Sequence, residues 1–235
     1  MTHGGNVWQG EGPKHWLDYS ANLRPEGAPE WVKSALLRAV DSAAYYPDPE
    51  MKRARRAMAQ ALNLPEENVL PTAGGISAID LIARRSERAV LTTPCFEEYE
   101  RQSREHGAPV RKVSLLDGRR LISPADALKN ELRGGETVWL CNPMNPVGAA
   151  FSRDEVGALL RLAEERGAFL AVDEAFGEYC PEHSVRNWVT EHPSLAVAGS
   201  LTKILGIPGV RLGYLCADAA MVKQLHARQG QPLRE

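Results

Sequence analysis

The 235-residue chain carries only four cysteines, Cys95, Cys141, Cys180 and Cys216, and no two of them form a Cys-x-x-Cys pair. That scarcity argues against a disulfide framework or a thiolate metal site and toward reduced, buried thiols. His106, His183, His192 and His226 have no metal-ligand spacing and are expected on surfaces or turns. Neither sign of charge dominates. Twenty-eight basic side chains against 30 acidic ones leave a formal net charge of −2, without the basic footprint of a nucleic-acid binder. No apolar run approaches the roughly 20 residues that span a bilayer. Met1-Thr2-His3-Gly4-Gly5 lacks the basic start and apolar stretch of a secretory signal. Nucleic acid and membrane are therefore not expected as partners, and a cytoplasmic location is. Internal repeats and low-complexity linkers are also missing. What is present, 43% hydrophobic and 25% charged residues, suits one large soluble domain.

Helical and strand patterns alternate along the chain. Pro29 to Val40 predicts a helix with Trp31, Ala35, Ala39 and Val40 on one face. Met51, Ala54, Met58 and Leu62 form the stripe of a second helix, with Lys52-Arg53 and Arg55-Arg56 on its solvated face. Strands are predicted at 89–93, 110–113, 137–141, 168–172, 195–198 and 210–216. Ser152-Arg153-Asp154-Glu155 fits a capping box opening a helix through Leu159, Leu160 and Ala163. Strands separated by helices predict an α/β fold of three layers, α/β/α, around a mostly parallel sheet.

One stretch carries most of the chemistry: Ser200-Leu201-Thr202-Lys203, followed by Pro208-Gly209-Val210-Arg211. A lysine among hydroxyls and glycines can condense with a carbonyl, and pyridoxal phosphate (PLP) is the commonest carbonyl to meet it. The hydroxyls and Arg211 would then hold its phosphate. The alternative is an exposed lysine in a glycine-rich loop. Upstream, Asp173 ends an apolar strand, where open α/β sheets place ligands. A carboxylate there can keep a pyridine nitrogen protonated, or it can cap a turn. Asn145, in Asn142-Pro143-Met144-Asn145-Pro146-Val147-Gly148, can aim its amide at a ring oxygen or close that rigid turn. Thr72-Ala73-Gly74-Gly75-Ile76-Ser77 precedes a helical stripe at Ile79, Ile82 and Ala83. Backbone N–H groups at a helix start bind phosphate, although a plain helix entry reads the same way.

Taken together, the Asn-Pro-x-Asn-Pro-x-Gly turn, the Asp-Glu-Ala-Phe strand end and the Ser-x-Thr-Lys…Pro-Gly-x-Arg-x-Gly-Tyr segment resemble the class I/II aminotransferase group of fold-type I PLP enzymes. The resemblance implies that Lys203 holds PLP, that Asp173 stabilises its pyridinium and that Phe96 stacks on the ring. It implies that Gly75, Ile76, Ser200, Thr202 and Arg211 bind the phosphate and that Asn145 serves the ring oxygen. Tyr46, just before Pro47, would reach the phosphate in the neighbouring subunit, which implies a homodimer with shared active sites. His3-Gly4-Gly5-Asn6 and Asp18-Tyr19-Ser20-Ala21-Asn22 look like the opening of the branch that decarboxylates phosphothreonine in cobalamin synthesis. The aminotransferases of histidinol phosphate come next in likeness. His3, Asn6 and Asn22 are accordingly expected to bind a small phosphorylated amino-acid substrate.

Two departures stand out. Phe176 replaces a tyrosine common in relatives, leaving Asn145 and a group such as Tyr179 to serve the ring oxygen. The chain also stops at Glu235, where relatives continue into a small domain carrying the arginine that grips the substrate carboxylate. The expected organisation is an N-terminal arm over 1–27 and a PLP-binding large domain over 28–235, with that small domain missing. PLP binding is expected, turnover is expected to be impaired, and a degenerate PLP-binding module stays open as a third reading.

Overall fold

The computed structural model describes residues 4–8, 12 and 17–228. Nine strands follow in chain order: β1 (Val69–Thr72), β2 (Ala89–Thr93), β3 (Val110–Ser114), β4 (Leu116–Asp117), β5 (Arg120–Leu121), β6 (Thr137–Cys141), β7 (Phe169–Glu174), β8 (Leu195–Ser200) and β9 (Gly213–Ala217). Helices α1 (Glu30–Ala39), α2 (Lys52–Leu62), α3 (Gly75–Ala83), α4 (Glu98–Glu105), α5 (Pro124–Leu128), α6 (Arg153–Glu165) and α7 (Ala219–Arg228) connect and cover them.

Seven strands make one sheet in the order β1-β9-β8-β7-β6-β2-β3, and β4 with β5 forms a separate hairpin. The central pairs β3·β2·β6·β7·β8 run parallel, and β9 runs antiparallel to both β8 and β1. Parallel strands need covered faces, and the two-residue side-chain period divides the apolar residues between them. Val138, Leu140, Leu170, Val172, Leu195 and Val197 pack with Leu128 of α5 and with Val156, Leu159 and Leu160 of α6. Trp139, Cys141, Ala171, Ala196 and Ala198 face the opposite layer, built from α3, α4 and α7. The three-layer α/β/α expectation holds.

Ser152 caps α6 in the predicted box: its hydroxyl accepts the Glu155 N–H, and Glu155 Oε2 accepts the Ser152 N–H at 2.8 Å. Two local expectations need correction, and one strand went unpredicted. Helix α1 forms, but Val32 is its buried residue and Trp31 stays 64% exposed, because the described residues leave the predicted inward face largely open. The last strand begins at Gly213 rather than 210, because Arg211 adopts a left-handed φ of 60° that a strand cannot continue through. Strand β1 was hidden by Pro71, which the sheet tolerates because β1 lies at its edge.

Candidate active site

Most chemical groups of the candidate site stand at or just beyond the carboxyl end of a parallel strand or at a helix start facing it, and Arg211 joins them from just before the amino end of antiparallel β9. Alternation along β7 buries Val172 in the α5/α6 layer and turns Asp173 toward α4, where only 3% of it is exposed. Its carboxylate has two donors. The Tyr99 hydroxyl donates to Oδ2 at 2.6 Å, and the Ala175 N–H donates to Oδ1 at 2.8 Å. Burial pushes its carboxyl above the usual range, and the Tyr99 bond, the Ala175 bond and the positive charge of Lys203 pull the other way. Lys203 follows β8 and lines the same cavity as Asp173. Burial first, then the Arg211 guanidinium, lower its amine below the ordinary lysine value, while Asp173 raises it. An amine of this kind keeps more of its nucleophilic form near neutral pH.

The same cavity carries an anion cradle. Helix α3 starts at Gly75 behind Gly74, whose φ is 84° and which offers no side-chain cap to the orphan N–H groups. A Cβ on Gly74 would lie 2.7 Å from Arg211 Nη2 and push the guanidinium aside, and the φ of 84° itself favours glycine. Ser200 and Thr202 share a hydrogen bond of 2.8 Å between their hydroxyls on the same wall. Free N–H groups at a helix start, two hydroxyls and an arginine form a donor set matched to a phosphate ester. A half-buried amine and a buried carboxylate lie in the same cavity. These residues fit PLP: the cradle for its phosphate, the amine for its aldehyde, the carboxylate for its ring nitrogen.

Gly75, Ile76, Phe96, Asn145 and Phe176 also line this cavity. Phe96 meets Tyr99 edge-on, with ring centroids 5.9 Å apart. Asn22 lines an adjoining cavity that shares Asn145 and Phe176 and includes Tyr179. Tyr179 is 52% exposed and does not line the first cavity. Tyr46 is fully exposed and lines neither cavity, and Asn6 is likewise exposed outside both. His3 lies outside the described residues.

Tyr99 and Cys141 were not singled out in the sequence. Tyr99 stands three residues after Phe96, a spacing that shares a face once the chain turns helical. Its ring lies flat on Trp139, with centroids 5.0 Å apart. The Cys141 thiol lines the cavity floor, accepts the Asn145 N–H at 3.3 Å and is pushed up to about 12 by burial, so it is an inert thiol.

Residues 14–232 match the family described as aminotransferase class I and II. The chain is 34% identical to a threonine-phosphate decarboxylase from Salmonella typhimurium, over 98% of this chain and 66% of that protein. It is 31% identical to a histidinol-phosphate aminotransferase from Haemophilus influenzae, over 75% of this chain and 51% of that one. The crystal structure of the histidinol-phosphate aminotransferase from Clostridium acetobutylicum superposes with a TM-score of 0.83 and 26% identity, covering 92% of this chain and 65% of that one. The chain thus spans about two thirds or less of the length of these relatives. A mostly parallel sheet carries a lysine, a buried carboxylate and an anion cradle around one cavity, a donor set matched to PLP. The chain belongs to the aminotransferase class I and II family.

Proposed function

We propose that this protein takes part in the decarboxylation of O-phosphothreonine to aminopropanol phosphate, the side-chain precursor in cobalamin synthesis. The observation that carries this reading is the reach of the match. The decarboxylase relative aligns with 98% of the chain, including the segment before α1, whereas the histidinol-phosphate aminotransferase aligns with 75%.

The cofactor supplies an electron sink for the bond cleaved at the substrate Cα. The chain's own residues do the rest. Asp173, buried and doubly hydrogen-bonded, presents fixed negative charge to the ring nitrogen. Phe96 and Phe176 line the cavity and would present apolar faces to the ring. Arg211, Ser200, Thr202 and the N–H groups of Gly75 and Ile76 hold the phosphate end. Lys203 Nζ would hold the aldehyde end and could move a proton at the reacting carbon. Asn145 orients the ring oxygen. Asn22, in the adjoining cavity, is assigned to the substrate phosphate, and the family resemblance adds His3 and Asn6 to it. Exposed Tyr46 serves the partner's site in a cytoplasmic homodimer.

The test is release of carbon dioxide from O-phosphothreonine by purified protein without a keto-acid acceptor. A second reading, a histidinol-phosphate-type aminotransferase, draws on the TM-score of 0.83 to such an enzyme. Amino transfer from histidinol phosphate to 2-oxoglutarate without decarboxylation would select it. A PLP spectrum with neither activity would select a degenerate binding module.

A further inference from the structure

Strand β7 ends in two consecutive carboxylates that face opposite layers. Asp173 serves the cavity. Glu174 points the other way, is 1% exposed, and has no part in the cofactor chemistry. Its Oε2 accepts the Ser184 hydroxyl at 2.6 Å, and its Oε1 accepts the Val185 N–H at 2.7 Å. Between these anchor points the chain makes an excursion through two short 3-10 turns, Gly177–Tyr179 and Pro181–His183. That excursion builds walls. Ala175 and Phe176 line the PLP cavity, and Tyr179 and His183 line the adjoining one.

A second tie lies beside the first. Arg186 Nη1 donates to Glu178 Oε1 at 2.5 Å and to the Tyr214 hydroxyl at 3.2 Å, and that hydroxyl donates to Glu178 at 3.1 Å. Both ties depend on close packing. A Cβ on Gly177 would sit 3.0 Å from Glu174 Cβ, and one on Gly199 would sit 2.0 Å from the Tyr214 ring.

We infer that Glu174 is a positioning residue, a buried latch that folds the 175–186 excursion back onto the sheet and so sets the Phe176 wall of the PLP cavity. The inference rests on the PLP reading only for its effect on the cofactor. A buried carboxyl also leaves a pH signature that mere packing does not. Burial pushes Glu174 up to about 7 from its ordinary 4.5. The groups facing it are Arg186, Glu178 and Cys180 on the excursion and Tyr214 and Cys216 on β9. The latched state prefers the protonated carboxyl, and opening releases it to water, where it ionises at its ordinary value. Latching is therefore strongest below pH 4.5 and weakens as pH rises to about 7, by up to about tenfold per pH unit, then levels off.

The experiment is hydrogen exchange of peptides covering 177–188 in the 235-residue chain, corrected for intrinsic rate, from pH 5 to 8 without PLP. It is paired with PLP dissociation constants from fluorescence. In the wild type the opening equilibrium should rise with pH and level near 7. Glu174→Gln keeps both bonds, with Oε1 accepting Val185 N–H and Nε2 donating to Ser184 Oγ. It should lose the pH dependence and bind PLP within about twofold of wild type. Glu174→Ala should exchange faster at every pH and bind PLP about tenfold more weakly. If Glu174→Ala does not fold, Ser184→Ala deletes one bond from the other side and should move both readouts in the same direction by less. Unchanged exchange in the alanine variants, pH dependence retained in Glu174→Gln, or faster exchange with unchanged PLP affinity would each overturn the inference. A wild type that fails to bind PLP would sink the cofactor reading, and the exchange arm would still decide whether Glu174 is a latch.

Discussion

Replacing Tyr99 by phenylalanine removes one oxygen from the wall behind Asp173 and leaves the ring in place. The ring keeps its stack on Trp139 at 5.0 Å and its edge contact with Phe96, so little packing is lost. What disappears is one of two donors to a buried carboxylate. Hydrogen bonds to charged groups contribute about 1.5–3 kcal/mol. Removing the hydroxyl also removes its own burial cost, so the low end applies, about 1.5 kcal/mol, close to one pKa unit or tenfold in affinity. The sign follows from the Tyr99 bond, which holds the Asp173 carboxyl down against burial. Without it the carboxyl rises further and is neutralised at higher pH. PLP needs the ionised form, so its binding should weaken about tenfold near neutrality, and the pH below which binding is lost should move up by about one unit. Stability gives a second sign. A carboxyl raised above its unfolded value contributes stability that is lost as pH rises, so Tyr99→Phe should lower the cofactor-free Tm more at pH 8 than at pH 5. PLP titrations followed by absorbance across this range, with Tm at each pH, make the measurement. A folded Tyr99→Phe protein with wild-type affinity and an unmoved acid limb would refute the role given to this bond.

Three further outcomes are expected. Lys203→Ala should abolish borohydride-fixed PLP; a label mapping to Lys33, Lys129 or Lys223 would reject the site. Lys203, lowered by burial and by Arg211, should titrate below the ordinary value of 10.5 when its acylation rate is followed against pH. A midpoint at or above that value would contradict the packing around it. Gly74→Ala forces a side chain into a φ of 84° and within 2.7 Å of Arg211. It should cost about 1–3 kcal/mol in denaturant unfolding and weaken PLP binding, and an unchanged pair of values would mean that the cradle is more pliant than its contacts imply.

Much of the site was legible because each piece is a local pattern. Lys203, Asp173, Asn145 and the Gly74-Gly75 helix start each sit where an apolar run ends in turn residues, and a strand end is where an α/β sheet collects its ligands. The capping box at Ser152 was readable for the same reason, since it is set by neighbours a few residues away. The α2 stripe was readable only in part: Met58 and Leu62 are buried, while Ala54 is exposed and Arg55 turns inward to donate to the Val69 carbonyl at 3.0 Å. The edge strand carrying Pro71 was not, because a proline forbids a strand interior and only the sheet order reveals that this strand lies at the edge. The face of α1 was misread because period alone cannot say whether anything lies over it.

The sequence by itself determined which candidate groups are present, a lysine, a carboxylate and donors suited to a phosphate in one chain order, because residue type and local turn chemistry decide those. Tertiary structure alone decided what stands behind them. Tyr99 meets Asp173 across 74 residues, and Glu174 meets Ser184 and Val185 on the far face of the sheet. Such pairings depend on which face each strand residue takes and on which element crosses there, and both are properties of the assembled sheet rather than of any segment.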